Sequence, residues 1–398
     1  MRLRNITCVI MASIMAVGSF AGCGNSSNTD ETQKNVESKK ADSDYKKESG
    51  EKKKLVWFTE QMDDLQYDTY MKYVVTPFNE SHSDIEVEIS PTADYEQVLK
   101  VQLSASGGPD IVNMTGPSVT SEYVEGDKIL DLTEYVKKAE LDKKIFPWAL
   151  NSCKIDDKIY SLPNSYEALL LWYNKNMFKD NGWKVPTTYE DLETICKDAQ
   201  SKNIIPIAYG TADNKAINEQ FVSVALCASA GRGNVKKALN GELKWTDPVF
   251  IEAIDTLNDM WQAGWISDKK SHAVAHDDAN SLFFNQSAAM AMTGTWDQRA
   301  FADQISDFKY AAIPFPSLRD GVYPAACMGA GGVIAINANT KYPEECFEFI
   351  KFMFNNDKRQ AQAVSEGLQP LPYDMDESLY SEKMSSTDKE ILSTLENT

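Results

Sequence analysis

The chain is organised around the stretch Tyr160-Ser161-Leu162-Pro163-Asn164-Ser165-Tyr166-Glu167-Ala168-Leu169-Leu170-Leu171-Trp172-Tyr173-Asn174. Pro163 disfavours a helical backbone at Leu162, so no helix runs through this point. Residues 168–173 form an apolar run that is too short for a helix and predicts a strand buried on both faces. Glu167 precedes this run. A carboxylate at the mouth of a buried strand is either paired within the protein or directed at a ligand.

Length and composition set wide bounds on the protein. The 398 residues allow two or three domains, and 42 % hydrophobic residues are enough for real cores. The formal net charge of −19 argues against a nucleic-acid partner, because phosphate binding needs clustered lysine and arginine. The same charge favours a soluble extracellular protein.

The first 22 residues predict a secretion signal. Arg2 and Arg4 precede a largely apolar segment at 6–20, and the small residues Ala21-Gly22 precede Cys23. This ending resembles the bacterial lipobox, which implies a lipoprotein whose lipidated Cys23 anchors it to the outer face of the cytoplasmic membrane. An ordinary cleaved signal with an incidental cysteine is the alternative. Residues 24–53 are polar and charged, and they predict a disordered tether.

The cysteines after the anchor argue against a disulfide framework or a zinc site. Their number is odd, their spacings are long, and no C-x-x-C occurs; they are Cys153, Cys196, Cys227, Cys327 and Cys346. We expect most of them to be buried thiols that pack as small apolar residues.

From Leu55 onward, strand and helix patterns alternate. Residues 55–58 and 85–89 predict strands, 66–80 and 95–103 predict helices, and Gly107-Gly108-Pro109-Asp110-Ile111-Val112 predicts a turn and a third strand. This rhythm is typical of an α/β sheet whose ligand space lies at the strand ends. Phe58 and Glu60 end the first strand, and Asn113 and Thr115 follow the third.

Four motifs, together with the opening stretch, resemble the maltose-binding-protein-like family of extracellular solute-binding proteins that feed ABC importers. They are residues 107–112, 186–192 (PTTYEDL), 283–296 (FFNQSAAMAMTGTW) and 343–354 (PEECFEFIKFMF). The resemblance implies that Asp110 ties the turn before the third strand, and residues 186–192 predict an N-cap followed by acids in the first turn of a helix. Residues 328–336 predict a glycine-rich turn that leads into a buried strand. The resemblance implies an α/β, type II periplasmic-binding-protein-like fold, in which crossover strands join two lobes around a ligand cleft. It divides the chain into 54–165 with about 309–336 in one lobe, and 166–308 with about 337–398 in the other. Members of the family usually continue for several more elements beyond the position of Thr398, so the second lobe is expected to be short or truncated.

The resemblance also implies a sugar site. Such sites pair flat aromatic faces with fixed hydrogen-bonding groups, because each unpaired buried hydroxyl costs about 1–3 kcal/mol. Aromatic stacking is expected from Trp296 and Tyr209, and hydrogen bonds to hydroxyl groups from Glu167, Asp297 and Glu60. Further contacts are expected from Phe58, Asn113 and Thr115 and from the backbone of Gly329, Ala330 and Gly331. Core packing is the alternative for Trp296 and Tyr209, whereas Phe58 and Glu60 depend only on their strand-end position.

The predicted function is therefore that of a non-enzymatic, monomeric receptor without a cofactor. It captures a sugar or oligosaccharide and passes it to ABC permease subunits, with the lipid anchor as its only membrane element. A polyamine or peptide receptor of the same fold remains an alternative, as does a surface glycoside hydrolase with two cleft carboxylates. His272 and His276, near Asp277 and Asp278, leave a metal site conceivable. The glycines at 329–332 lack the lysine and the spacing of a phosphate-binding loop.

Overall fold

The computed structural model describes residues 52–104, 107–210, 212, 221–266, 274–366, 369–379 and 384–396. The expected signal peptide, Cys23 and almost all of the expected tether lie outside the described residues, as does His272. In the part of the chain that is described, no helix is long and apolar enough to cross a membrane.

The described residues form twelve strands and seventeen α-helices. The strands are β1 (Lys53–Glu60), β2 (Ile85–Thr92), β3 (Ile111–Met114), β4 (Lys154–Ile155), β5 (Lys158–Ile159), β6 (Ser161–Pro163), β7 (Tyr166–Asn174), β8 (Ile205–Ala208), β9 (Ala288–Gly294), β10 (Tyr310–Ile313), β11 (Cys327–Ala330) and β12 (Val333–Ile336). The helices are α1 (Asp64–Tyr70), α2 (Thr76–Ser81), α3 (Tyr95–Ser104), α4 (Pro117–Val124), α5 (Thr133–Lys138), α6 (Leu141–Lys144), α7 (Pro147–Ser152), α8 (Lys175–Asn181), α9 (Tyr189–Ser201), α10 (Ser223–Ala225), α11 (Arg232–Leu239), α12 (Pro248–Gln262), α13 (His276–Phe284), α14 (Gln298–Gln304), α15 (Pro343–Phe354), α16 (Asp357–Ser365) and α17 (Ser386–Glu396). Two π-helical turns (Met71–Val75 and Leu226–Ala230) and two 3-10 turns (Thr295–Asp297 and Glu377–Leu379) complete the list.

The first sheet has five strands in the order β2-β1-β3-β12-β6. Strand β1 runs parallel to β2 and β3, whereas β12 is antiparallel to β3 and β6. Leu55 and Trp57 of β1 pack into one buried cluster, and Phe58 packs into another. Side chains alternate along a strand, so this division shows that helices cover both faces of the sheet.

The second sheet is built around β7, as the apolar run at 168–173 predicts. Its order is β10-β7-β9-β8, and β11 pairs with the first half of β7. Leu169 and Leu171 pack into one buried cluster, while Leu170 and Trp172 pack into another. The prediction of a strand buried on both faces is confirmed.

Two crossovers join the sheets. The first lies between β6 and β7, and the second lies between β11 and β12. The segment after α16 forms a third connection, since Leu371 and Tyr373 pack into the core of the first sheet and Ile391 of α17 packs into that of the second. The two-lobed architecture therefore agrees with the predicted fold class.

The structure corrects the sequence-based division of the chain in two places. Strands β10 and β11 were expected in the first lobe, but both pair with β7 in the second sheet, β10 through Tyr310↔Asn174 to Ile313↔Leu171 and β11 through Cys327↔Leu169 to Ala330↔Tyr166. Helix α15 was expected in the second lobe, but Phe349 and Ile350 pack with Leu55 of the first sheet. Amphipathic patterns show that an element is half-buried and do not show which sheet it covers.

Two local predictions are confirmed by side-chain contacts. Asp110, expected to tie the turn before β3, accepts the backbone N–H of Val56 at 2.9 Å and the hydroxyl of Thr340 at 2.6 Å. Helix α9 begins with the expected N-cap, where Thr188 and Asp191 form a reciprocal capping box. These contacts fix the turn before β3 and the start of α9.

Candidate ligand-binding cleft

The two crossovers are held side by side by backbone hydrogen bonds. The backbone carbonyl of Ser165 accepts a hydrogen bond from the N–H of Gly331 at 3.2 Å, and the side-chain hydroxyl of Ser165 accepts one from the N–H of Gly332 at 2.8 Å. The N–H of Asn164 donates to the carbonyl of Gly332 at 3.0 Å. The connecting segments therefore form one hydrogen-bonded ribbon between the sheets.

Glu167 lies directly beside this ribbon. Its carboxylate occupies the place of a side chain at Gly331, because a Cβ there would lie 2.2–2.5 Å from the carboxylate atoms. The hydroxyl of Ser165 donates to Glu167 Oε1 at 3.3 Å. Gly331 is thus needed for close approach, and the half-buried carboxylate is positioned at the junction of the two lobes.

Trp296 lies at the same end of the neighbouring strand. The pairing Leu169↔Gly294 and the 3.2 Å hydrogen bond from the N–H of Ala168 to Thr295 Oγ1 align the start of β7 with the 3-10 turn after β9. The indole ring folds back over Gly294, where a Cβ would lie 2.1–2.4 Å from ring atoms. Trp296 is half-buried and packs against the apolar cluster of the second sheet.

The backbone of β11 completes this row on the other side of β7. Gly329 is opposite Glu167, and Ala330 is opposite Tyr166. Both residues are half-buried. Gly331 differs from the prediction, because its N–H already donates to Ser165 and is not available to a ligand.

The first sheet contributes Glu60 from the end of β1. Partial removal of the Glu60 carboxyl from water raises its pKa, and the negative charge of Glu96 raises it further. The residue as a whole is nevertheless exposed to solvent. The charges of Glu60 and Glu167 both act on the pKa of Tyr70. Burial raises the pKa of Tyr70 to about 12, and the charges of Glu167 and then Glu60 add to this effect.

Tyr70 is a residue that the sequence prediction did not link to Glu60 and Glu167. Its spacing along helix 66–80 indicated a core position, and its ring does pack edge-on against Trp57, with centroids 5.2 Å apart. The same helical period cannot show that the charges of Glu167 and Glu60 act on this tyrosine. No sequence signal distinguishes these two environments.

Asn113 and Thr115 lie at the end of β3. Asn113 Oδ1 accepts the indole N–H of Trp57 at 2.9 Å, so this oxygen is used inside the protein. Thr115 follows the strand and is exposed. Their roles as ligand contacts stay predictions.

Asp297 makes contacts within the protein in place of the predicted hydrogen bond to a sugar hydroxyl. Its Oδ2 accepts the hydroxyl of Thr293 at 2.5 Å and the amide of Asn280 at 2.9 Å, and it lies 2.7 Å from His276 Nε2. The side chain is only 15 % exposed. Asp297 therefore fixes the turn that carries Trp296, rather than presenting this oxygen to a sugar.

Tyr209 and Phe58 are core residues in this structure, contrary to the prediction of ligand contact. Tyr209 is 1 % exposed and packs edge-on against Phe221 at 4.5 Å. Phe58 is 3 % exposed and stacks on Tyr95 at 5.1 Å. Rings covered by neighbouring side chains have no face left for a ligand.

A second aromatic group beside the crossover was also missed. The ring of Phe146 contacts those of Trp148 and Tyr166, with centroids 6.4 Å apart in each pair. Trp148 is 41 % exposed, and α7, which carries it, packs against β11. The sequence signal was Phe146-Pro147-Trp148, where a proline begins a short helix and leaves an aromatic residue at its exposed start.

The comparisons with known proteins agree with this architecture. The family model described as bacterial extracellular solute-binding protein matches residues 63–360. This chain belongs to that family. The multiple sugar-binding protein of Streptococcus mutans is 26 % identical over 294 residues, which are 72 % of this chain and 68 % of that protein. The maltodextrin-binding protein MdxE of Bacillus subtilis is 24 % identical over 352 residues, which are 87 % of this chain and 76 % of that protein.

Solved structures show the same solute-binding protein fold. A structure from work on xylan utilisation by Caldanaerobius polysaccharolyticus has a TM-score of 0.75 at 23 % identity and covers 86 % of this chain and 87 % of its own. A chitin oligosaccharide binding protein has a TM-score of 0.74 at 21 % identity, with 86 % of both chains covered. The type II fold of this solute-binding protein is therefore shown.

The metal alternative gains no support in the part of this solute-binding protein that the structure describes. There, no three histidine, cysteine, aspartate or glutamate side chains are grouped as a metal site requires. His276, one half of the suggested pair, lies beside Asp297 and Asn280 instead. The other half, His272, lies outside the described residues.

Proposed function

We propose that this protein is a monomeric, non-enzymatic receptor that captures a sugar or oligosaccharide and delivers it to the permease of an ABC importer. Lipidated Cys23 would hold it on the outer face of the cytoplasmic membrane. Family membership supports an extracellular solute-binding role. The names of the relatives, which bind multiple sugars and maltodextrin, support a carbohydrate ligand.

The observation that carries the carbohydrate proposal is the row formed by Gly329 of β11, Glu167 of β7 and Trp296 in the turn that follows β9. A partly exposed indole offers a flat apolar face for the CH groups of a sugar ring. A carboxylate accepts hydrogen bonds from hydroxyl groups, and such charge-assisted bonds are stronger than neutral ones. An uncovered stretch of backbone at Gly329 lets a ring approach closely, since no Cβ stands in its way.

Capture would use closure of the two lobes. We assign 53–163 with 333–375 to the first lobe and 166–330 with 386–396 to the second. Glu60 belongs to the first lobe, while Glu167 and Trp296 belong to the second. A ligand that contacts both lobes binds the closed state more tightly and shifts the population toward it. Hinge closure of this kind is the established motion of periplasmic binding proteins.

The test is a thermal-shift screen of the purified protein against mono- and oligosaccharides, with polyamines and peptides in the same panel. A ligand at 100 times its Kd adds about 2.7 kcal/mol of stability, which raises the melting temperature measurably. Trp296→Ala should abolish the shift produced by the active glycan. Trp245→Ala is the matched control, because Trp245 is 48 % exposed and packs against Phe250 of α12.

A different active compound would change the assignment. Glu60 and Glu167 near one tyrosine also fit a cationic solute, so a shift with a polyamine and none with glycans would replace the sugar proposal. Release of shorter sugars from an oligosaccharide during the assay would indicate a hydrolase. A glycan shift that survives in Trp296→Ala would move the site away from β9.

A further inference from the structure

The end of helix α11 and the turn that follows it form an exposed surface on the second lobe. Lys236 and Lys237 lie in the last turn of the helix, and Leu239, Lys244 and Trp245 follow them. Leu239 is 72 % exposed and Trp245 is 48 % exposed. We call this surface the α11 tip (residues 236–246). Single exposed apolar residues are common, but two large ones between exposed lysines indicate an interaction surface.

Backbone hydrogen bonds fold the α11 tip back against the end of its helix. The N–H of Asn240 donates to the carbonyl of Lys236 at 3.0 Å, and the N–H of Glu242 donates to the carbonyl of Lys237 at 2.8 Å. Gly241 has a positive φ of 76°, the left-handed conformation that commonly follows a helix end. The tip is therefore an ordered turn.

Packing leaves apolar side chains on the outer surface of the tip. The ring of Trp245 contacts that of Phe250 at the start of α12, with centroids 5.0 Å apart. Phe250 in turn belongs to a small buried cluster with Ala238 of α11. Trp245 thus has one part of its ring against the protein and another part in solvent, and Leu239 lies mostly in solvent.

The region around the tip is positively charged, although the protein is strongly acidic. Residues 232–246 contain four basic residues and one acid, Glu242, so their net charge is +3, against −19 for the whole chain. The basic residues, all exposed, are Arg232, Lys236, Lys237 and Lys244. The acid accepts a hydrogen bond from the side-chain amide of Asn240 at 3.3 Å.

Acidic residues return directly after the tip. Asp247 accepts the backbone N–H of Lys244 at 3.0 Å, and Glu252 of α12 lies 3.5 Å from Arg319. The positive charge is therefore confined to the end of α11 and its turn. A confined basic surface with exposed apolar side chains is complementary to a negatively charged apolar–polar boundary.

We propose that the α11 tip rests on the membrane and binds anionic phospholipid headgroups, an inference that depends on the lipid anchor proposed for Cys23. Lysine ammonium groups attract the phosphates, and their aliphatic stems cover apolar surface. Tryptophan is enriched at membrane interfaces because its ring is amphipathic. An anchored protein stays close to the bilayer, so a weak contact is enough to be occupied.

The small size of the tip favours a membrane over a protein partner. A stable protein–protein interface covers about 800 Å² on each partner, with a well-packed apolar centre. The tip offers two large apolar side chains on one narrow turn, which suits shallow insertion between headgroups. Contact there would hold the second lobe in one orientation on the membrane.

The test uses the full chain, produced in bacteria with its own N-terminal segment and reconstituted into vesicles. One set of vesicles contains phosphatidylcholine alone, and the other also contains phosphatidylglycerol; both contain lipids with brominated acyl chains, which quench nearby tryptophans. The chain has 8 tryptophans, so the difference between wild type and Trp245→Phe isolates Trp245. We expect this difference only with phosphatidylglycerol. It should disappear at about 1 M salt, where the Debye length is about 3 Å.

Charge reversal at adjacent lysines provides a matched pair of variants. Lys236→Glu combined with Lys237→Glu should abolish the quenching of Trp245. Lys137→Glu combined with Lys138→Glu should keep it, because these exposed lysines end α5 in the first lobe. Both double variants change the net charge equally, so the comparison separates the α11 tip from general attraction to the vesicle.

Flotation of the vesicles reports the anchor separately. Protein that floats with both lipid mixtures but shows equal quenching in wild type and Trp245→Phe would overturn the membrane contact and leave the anchor intact. Protein that floats with neither mixture would overturn both. If the Lys236/Lys237 variant lowers uptake of the active glycan by cells while its quenching stays unchanged, the tip binds the permease and the membrane assignment is wrong.

Discussion

Asp297 shows how a side chain next to a binding residue can have a structural role. Its sequence position beside Trp296 indicated a hydrogen bond to ligand, yet its Oδ2 contacts Thr293, Asn280 and His276. Thr293 and Asn280 are buried, so their polar groups depend on this carboxylate. The acid therefore holds the end of β9 and the turn after it.

The change Asp297→Ala should destabilise the protein. Each buried group left without its partner costs about 1–3 kcal/mol, so we expect the free energy of unfolding to fall by more than about 2 kcal/mol in urea denaturation. Asp303→Ala is the matched control, because Asp303 pairs with Arg299 at 2.9 Å and is 47 % exposed. That change should cost less than about 1 kcal/mol.

The opposite result would support the predicted contact of Asp297 with the ligand. If Asp297→Ala unfolds at the same urea concentration as the wild type and yet loses its ligand-induced thermal shift, the carboxylate contacts the ligand. Loss of both stability and shift would still agree with a positioning role, because Trp296 depends on the turn. Measuring the two quantities in one variant separates these cases.

The crossover ribbon is the element that links the lobes to the binding row. Ser165 holds Gly331 and Gly332 by hydrogen bonds, and Gly331 leaves room for the carboxylate of Glu167. One short segment thus determines both the connection between the sheets and the position of the acid. Small changes at this point should affect ligand binding more than folding.

Gly331→Ala tests this expectation. The new Cβ would displace the end of a flexible glutamate side chain, which is cheap for folding but moves the carboxylate. Loss of a hydrogen bond to a charged group costs about 1.5–3 kcal/mol, so the Kd for the active ligand should rise about 10- to 100-fold. Isothermal titration calorimetry measures the Kd, and urea denaturation should show a change in stability below about 1 kcal/mol.

Gly329→Ala is the control for stability within the same segment. A Cβ at Gly329 would have no heavy atom within 4 Å apart from its chain neighbours, so the stability of the unliganded protein should be unaffected. A loss of affinity in Gly329→Ala would support ligand contact with this backbone, as the proposed binding row requires. Unchanged affinity in Gly331→Ala would exclude Glu167 in its present position from the site.

The whole molecule should lose stability at alkaline pH because it buries tyrosines. Burial raises the pKa of both Tyr70 and Tyr310 to about 12, above the usual value of 10.0. Between these values the unfolded chain has released protons that the folded protein still holds. Stability is therefore complete below about pH 10 and falls by about 1.4 kcal/mol per pH unit for each such tyrosine until the folded pKa is reached.

Tyr310→Phe should reduce this alkaline loss. Tyr310 is 7 % exposed within an apolar cluster, so the substitution keeps its packing. Urea denaturation at half-unit steps from pH 9 to pH 11.5 should give a shallower decline than in the wild type. Tyr323→Phe should follow the wild type, since Tyr323 is 85 % exposed. Identical slopes for all three proteins would mean that Tyr310 does not titrate differently on folding.

The sequence by itself determined the local elements and the fold class. The apolar run at 168–173 and the N-cap at Thr188 depend on neighbouring residues, and the structure contains both. Such features are readable because helix and strand periods, caps and proline effects act over a few residues. The matching motifs then indicated the family, because its fold places the same turns at the same strand ends.

Tertiary structure alone decided which residues meet. The pairing of β10 with β7, the contact of Asp297 with Asn280, and the covering of the rings of Tyr209 and Phe58 all join segments distant in sequence. Local patterns tell that a residue is half-buried but not what buries it. Packing of whole sheets and helices makes that choice, so contacts between lobes and within the cleft come only from the folded chain.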